Sequence, residues 1–170
     1  MTRRVSTGLA VAAVAALAIG LAPSAAANGG GRQHYEGTPT ETIIGTPICH
    51  AAGVCVVPFQ FRNTYSGDVV GTEVSAGQIV ATGPADGPGS AMSVLTAAIA
   101  GCPGEGSVML RWTVQFAVTT EGRNTGTFEV VPGSGTGGLV TIKGGGSFVT
   151  TVLPDGSTTS VFTAKFRCRH

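Results

Sequence analysis

Charge is scarce in this sequence. Only 11% of its 170 residues are Asp, Glu, Lys or Arg, and the ten basic side chains nearly cancel the nine acidic ones. Nucleic acids and anionic membrane surfaces are bound through clustered Lys and Arg, which are missing here, so both partner classes are excluded. Histidine is almost absent too: His34, His50 and His170 are the only three, and no two share a ligand-pair spacing. The four cysteines, Cys49, Cys55, Cys102 and Cys168, lie 6, 47 and 66 residues apart, whereas zinc sites bring them in close pairs such as C-x-x-C. Neither a metal nor a cofactor is expected. Hydrolytic chemistry is equally short of parts. There is no G-x-S-x-G elbow and no visible carboxylate pair for sugar hydrolysis, and the histidines sit in a polar N-terminal stretch, beside a cysteine and at the last position. No catalytic residue is assigned.

What is present begins with a secretory pattern. Arg3 and Arg4 precede an apolar run over 8–22, and Ala25, Ala26 and Ala27 form a small-residue cleavage site, so residues 1–27 are expected to be removed on export and the protein to be secreted. The run is shorter than the roughly 20 residues of a membrane span, and nothing later comes close. Cleavage after Ala27 leaves 143 of the 170 residues, with eight basic against nine acidic side chains, which is one domain's worth of chain. In an oxidising compartment the four cysteines read as two disulfides. Residues 28–42, rich in Gly, Thr and polar side chains, read as a flexible tail, and 43–170 as the single folded domain.

Within that domain the dominant signal is alternation. From Val108 to Val118 every even residue is apolar and most odd ones are polar; Val57, Phe59, Phe61 and Tyr65 share one face, and Phe162, Ala164 and Phe166 another. Gly, Pro, Asn and Asp clusters punctuate the runs. Eight strands follow, near 42–48, 56–65, 68–82, 90–100, 106–119, 125–131, 137–150 and 157–168; the fourth has some helical composition, but its place between two turn clusters favours a strand. Eight short antiparallel strands, each with one apolar face, are best satisfied by closing the sheet on itself. The predicted fold is therefore all-β, an eight-stranded antiparallel up-and-down barrel. Trp112 is expected inside and Arg111 outside, because burying the tryptophan row removes far more apolar surface from water.

The chain also holds G-x-G-x-x-G at 133–138. A dinucleotide site needs such glycines between a parallel strand and a helix, with an acidic ribose partner about 20 residues on. Here the β-branched, alternating Leu139-Val140-Thr141-Ile142-Lys143 follows, then three more glycines, and the next acidic residue is Asp155. No helix is expected to start there. The structural reading is a hairpin turn at 133–135 and, at 144–146, a bend where a strand coils sharply and backbones approach closely.

The segment Gly126 to Leu139 with Gly144 to Phe148, together with Tyr65-Ser66-Gly67-Asp68-Val69-Val70-Gly71, resembles a family of uncharacterised bacterial proteins, secreted actinobacterial-type members among them. The resemblance implies the barrel of plant allene oxide cyclases and dirigent proteins, whose enzymes cyclise or guide coupling of apolar substrates inside the lumen. No catalytic residue of those enzymes maps onto this chain.

Polar groups that share a face with the aromatics are few: Asn63, Tyr65 and, depending on the third strand, Glu73. With Val70, Thr72, Val74 and Val80 inward, Glu73 is external, which is the preferred register; with Val69, Gly71, Ser75 and Ile79 inward, it is a carboxyl in an apolar lumen, able to act as a general acid or base. Three functions stay open: binding a small apolar ligand in the lumen, a cyclase-type enzyme, or a structural protein with a filled core. A cavity of roughly 300 Å³ or more distinguishes the first two from the third. Strand parity puts Cys49 and Cys55 at one rim and Cys102 and Cys168 at the other. Since a disulfide spans Cα atoms no more than about 7 Å apart, the expected pairs are Cys49 with Cys55 and Cys102 with Cys168, the loop after Gly101 folding over the mouth.

Overall fold

The computed structural model describes residues 31–50, 53–81, 87–116, 123–153 and 157–169. The expected signal 1–27, the turn residues 83–86, 121–122 and 154–156, the strand end 117–119 and His170 lie outside the described residues.

Alternating residues build nine strands: β1 (Gln33–Ile44), β2 (Ile48–Cys49), β3 (Cys55–Gly67), β4 (Val69–Ala81), β5 (Gly87–Ile99), β6 (Glu105–Phe116), β7 (Arg123–Val130), β8 (Lys143–Val152) and β9 (Thr158–Arg167). Eight of them close a ring in the order β1-β9-β8-β7-β6-β5-β4-β3, with β1 pairing antiparallel to β3 to complete it; β2 is a two-residue addition to the start of β3. The eight-stranded antiparallel barrel of the sequence pattern is thus the fold. β5 alternates buried and exposed along its whole length, so the segment with helical composition is a strand. Trp112 is buried and Arg111 points outward, where it pairs with Glu129.

The first strand requires a correction. Placed by pattern at 42–48 behind a flexible tail at 28–42, it runs from Gln33 to Ile44 and supplies the closing edge. Its inward positions begin with Gln33, Tyr35 and Gly37, a row too poor in apolar residues to read as a strand, yet each is fitted to its place. Tyr35 stacks on Phe162 at 4.8 Å between centroids and meets Tyr65 edge-on at 5.3 Å. Gly37 lies against the same rings: a Cβ there would come within 2.7 Å of both Phe162 and Tyr65.

The seventh expected strand, 137–150, also shifts. Gly137–Leu139 forms a 3₁₀ turn, against the expectation that no helix starts there, and the strand begins only at Lys143. Leu139 and Ile142, three residues apart, are buried at the end of the barrel as a plug, while Val140 between them is exposed, so this apolar run is not a strand face. The glycine bend is where it was expected. Gly144 has φ 123°, and a Cβ on it would fall 2.0 Å from the Lys165 carbonyl oxygen.

That plugged end is further closed by covalent and hydrogen bonds. β5 and β9 stand on opposite sides of the ring, so the segment after β5 crosses the end to bring Cys102 to Cys168, with Cα atoms 5.2 Å apart. The other pair is Cys49–Cys55, at 4.0 Å, and both bridges are those that strand parity selects. Gln33 sits beneath the crossing, donating from Nε2 to the Ala100 and Phe166 carbonyls and accepting at Oε1 from the Phe166 amide at 2.9 Å.

Candidate functional site

The inward row of β4 decides the interior's chemistry. It is Val69, Gly71, Glu73, Ser75, Gly77, Ile79 and Ala81, so the preferred register with Glu73 outside is corrected: Glu73 is 1% exposed, while Val70 on the opposite face is 59% exposed. Both faces of β4 are apolar or small, and burial of valines alone does not choose between them. Volume does. β3 places Tyr65 opposite Gly71, Phe61 opposite Ser75 and Phe59 opposite Gly77, so the small residues of β4 leave room for the rings of its neighbour.

Asn63 lies directly across from Glu73 in the same pairing. Tyr65 donates its hydroxyl proton to Glu73 Oε2, and Asn63 Nδ2 donates to Tyr65 Oη at 3.2 Å and, at the outer limit, to Glu73 Oε2 at 3.5 Å. The structure therefore brings together all three polar residues singled out in the sequence. It adds a pair that the sequence reading missed: Trp112 Nε1 donates to Ser93 Oγ at 2.7 Å, both buried beside the carboxyl. Ser93 alternates with Ala91 and Leu95 on the inward face of β5, and that alternation was the available signal.

Burial raises the Glu73 carboxyl above the usual carboxylate range; Ser93, Tyr65, Asn63 and Trp112 pull the other way without cancelling it. Of the four, Tyr65 and Asn63 meet Oε2 with hydrogen-bond geometry, whereas Ser93 and Trp112 are bonded to each other. Oε1 of Glu73 and Oγ of Ser75 have no hydrogen-bond partner among the described residues. Burial first, then the Glu73 charge, also raises the phenols of Tyr35 and Tyr65, so both stay neutral. The cluster is a hydrogen-bonded polar layer across the middle of the barrel.

Above this layer, toward the ends of β4, β6 and β8 and the starts of β5, β7 and β9, lies a cavity of about 180 Å³. Its walls include Phe61, Trp112, Phe116, Phe148 and Phe162, with Asn63, Asn124, Thr150 and Ser160 as polar points. The hydroxyls of Thr150 and Ser160 bond each other at 2.6 Å. Asn63 lines the cavity, while Tyr65 and Glu73 lie outside its lining. The volume falls short of the roughly 300 Å³ expected of a binding or catalytic lumen. It exceeds the roughly 150 Å³ of an apolar cavity that takes up benzene. No group of three or more His, Cys, Asp or Glu able to hold a metal occurs among the described residues, and no helix there is long and apolar enough to cross a membrane.

Residues 45–160 match the model of a family described as protein of unknown function (DUF3224). Among solved structures, a protein of unknown function from the DUF3224 family of Shewanella oneidensis MR-1 is similar, with a TM-score of 0.53 and 17% sequence identity over 82% of this chain and 100% of that one. At that identity the likeness concerns the fold. No curated protein matches.

Proposed function

We propose, for a chain that belongs to the DUF3224 family of unknown function, that it is an exported carrier or receptor that binds a compact apolar or aromatic molecule in the upper lumen. The observation that carries this reading is the 180 Å³ cavity with aromatic walls, left open in a barrel whose other half is filled and sealed. Export fits the signal pattern at 1–27 and the two disulfides, which persist in oxidising compartments.

A second reading, a cyclase-type enzyme of the kind the allene oxide cyclase resemblance implies, draws on one observation. Glu73 is a buried carboxyl held toward its protonated form with Tyr65 bonded to it, which is the equipment of a general acid. Because Asn63 and Trp112 stand between that carboxyl and the cavity, binding is the stronger reading.

Thermal unfolding with toluene and phenol as probes tests the proposal. A ligand that binds only the folded state raises the melting temperature in proportion to the logarithm of its concentration. Both rings are expected to do so, and absence of any shift from either would leave the filled-core protein as the better account.

A further inference from the structure

We infer that the lumen selects rings carrying a hydrogen-bond donor, an aromatic alcohol or amine, and that Asn63 is the residue that reads it; the inference rests on the lumen-binding reading above. Of the central polar cluster, only Asn63 also lines the cavity together with Trp112. Its amide has two edges. The Nδ2 edge is turned to Tyr65 Oη and Glu73 Oε2, neither of which belongs to the cavity wall. The edge left for the cavity is the carbonyl Oδ1, an acceptor with no protein partner among the described residues.

The orientation is held by the cluster. Tyr65 gives its single proton to Glu73, so its oxygen faces Asn63 as an acceptor, and Glu73 Oε2 is a second acceptor on the same side. Turning the amide over would set Oδ1 against both oxygens. Glu73 is therefore a positioning residue for Asn63. Elsewhere on the wall the Thr150 and Ser160 hydroxyls bond each other at 2.6 Å, which spends one of their two protons. A ligand hydroxyl or amine satisfies Oδ1, whereas a hydrocarbon of the same shape strips water from it and returns nothing, which is the situation in which polar sites discriminate most strongly.

Toluene and phenol differ by a methyl in place of a hydroxyl, and Trp112, the only tryptophan in the chain, reports occupancy of the cavity it lines. Dissociation constants for both rings are read from its fluorescence in the wild type and in Asn63→Leu. Asn63→Leu is expected to weaken phenol relative to toluene by about tenfold, the equivalent of one hydrogen bond. An unmoved ratio in a variant that still binds toluene overturns the selection proposal and leaves lumen binding standing. If the wild type binds neither ring, the lumen reading fails and this inference with it. Should Asn63→Leu bind neither ring, Glu73→Leu and Glu73→Gln supply the same ratio. Glu73→Leu, which frees the amide, is expected to lower the preference about threefold, and Glu73→Gln, which keeps an acceptor for Nδ2, to retain it; equal ratios in these two and the wild type overturn the proposal.

Discussion

The two ends of this barrel are built from the same strands and finished in opposite ways. At one end Leu139, Ile142 and Phe166 fill the lumen, Gln33 bonds three backbone groups, and Cys102–Cys168 ties a crossing loop to the last strand. At the other, Phe61, Phe116 and Phe148 are only partly buried and surround open space. A chain of this size gains most by filling its whole core. Leaving one half open while sealing the other concentrates stability away from the cavity.

The largest expected effect tests that division through the disulfides. Cys102–Cys168 closes a segment of 66 residues and Cys49–Cys55 one of 6. In the chain-entropy account the long loop is worth about 3 to 5 kcal/mol and the short one about 2. Urea denaturation of the variants Cys102→Ser/Cys168→Ser and Cys49→Ser/Cys55→Ser measures both. Equal losses would mean that the sealed end is not the stability centre.

A second comparison removes one ring from each end. Phe166, 2% exposed, should cost about 3 to 5 kcal/mol as Phe166→Ala. Phe116, partly exposed on the cavity wall, should cost about 1 to 2 kcal/mol as Phe116→Ala, and the enlarged lumen should accept a two-ring aromatic that the wild type refuses. Phe116→Ala matching Phe166→Ala in cost would place the mouth in the core.

The same division explains what the sequence disclosed. Strands that put rings inside and polar residues outside, such as β6 with Trp112 against Arg111, were legible from alternation alone, and with them the barrel and the disulfide pairs. β1 was not, because its inward Gln33 and Gly37 matter through three hydrogen bonds and a close ring approach, neither of which is a composition signal. Leu139 to Ile142 looked like a strand because its residues are β-branched or apolar, but the buried pair, Leu139 and Ile142, is three apart, the spacing of a tight turn and not of a strand face. For Glu73 the pattern offered two registers, and only the volume of rings across from β4 separates them. The candidate site thus lay in residues whose names were readable and whose side of the sheet was not.

The smallest effect concerns the layer between the ends. Glu73 has its carboxyl raised in the folded state by burial, so the native protein holds that proton to higher pH than the unfolded chain does. The sign follows: its contribution to stability is complete below the unfolded carboxylate value of about 4.3 and is lost as pH rises through the folded one, with a slope of at most about 1.4 kcal/mol per pH unit for a single group. Glu73→Gln keeps an acceptor for Tyr65 and Asn63 but cannot ionise. Wild type and variant share every other titrating group, so the difference between their unfolding free energies isolates this one. Chemical denaturation followed by Trp112 fluorescence from pH 4.5 to 7.5 should show the wild type losing ground to Glu73→Gln as pH increases. A difference that stays constant across that range would mean that burial does not raise this carboxyl in the folded protein.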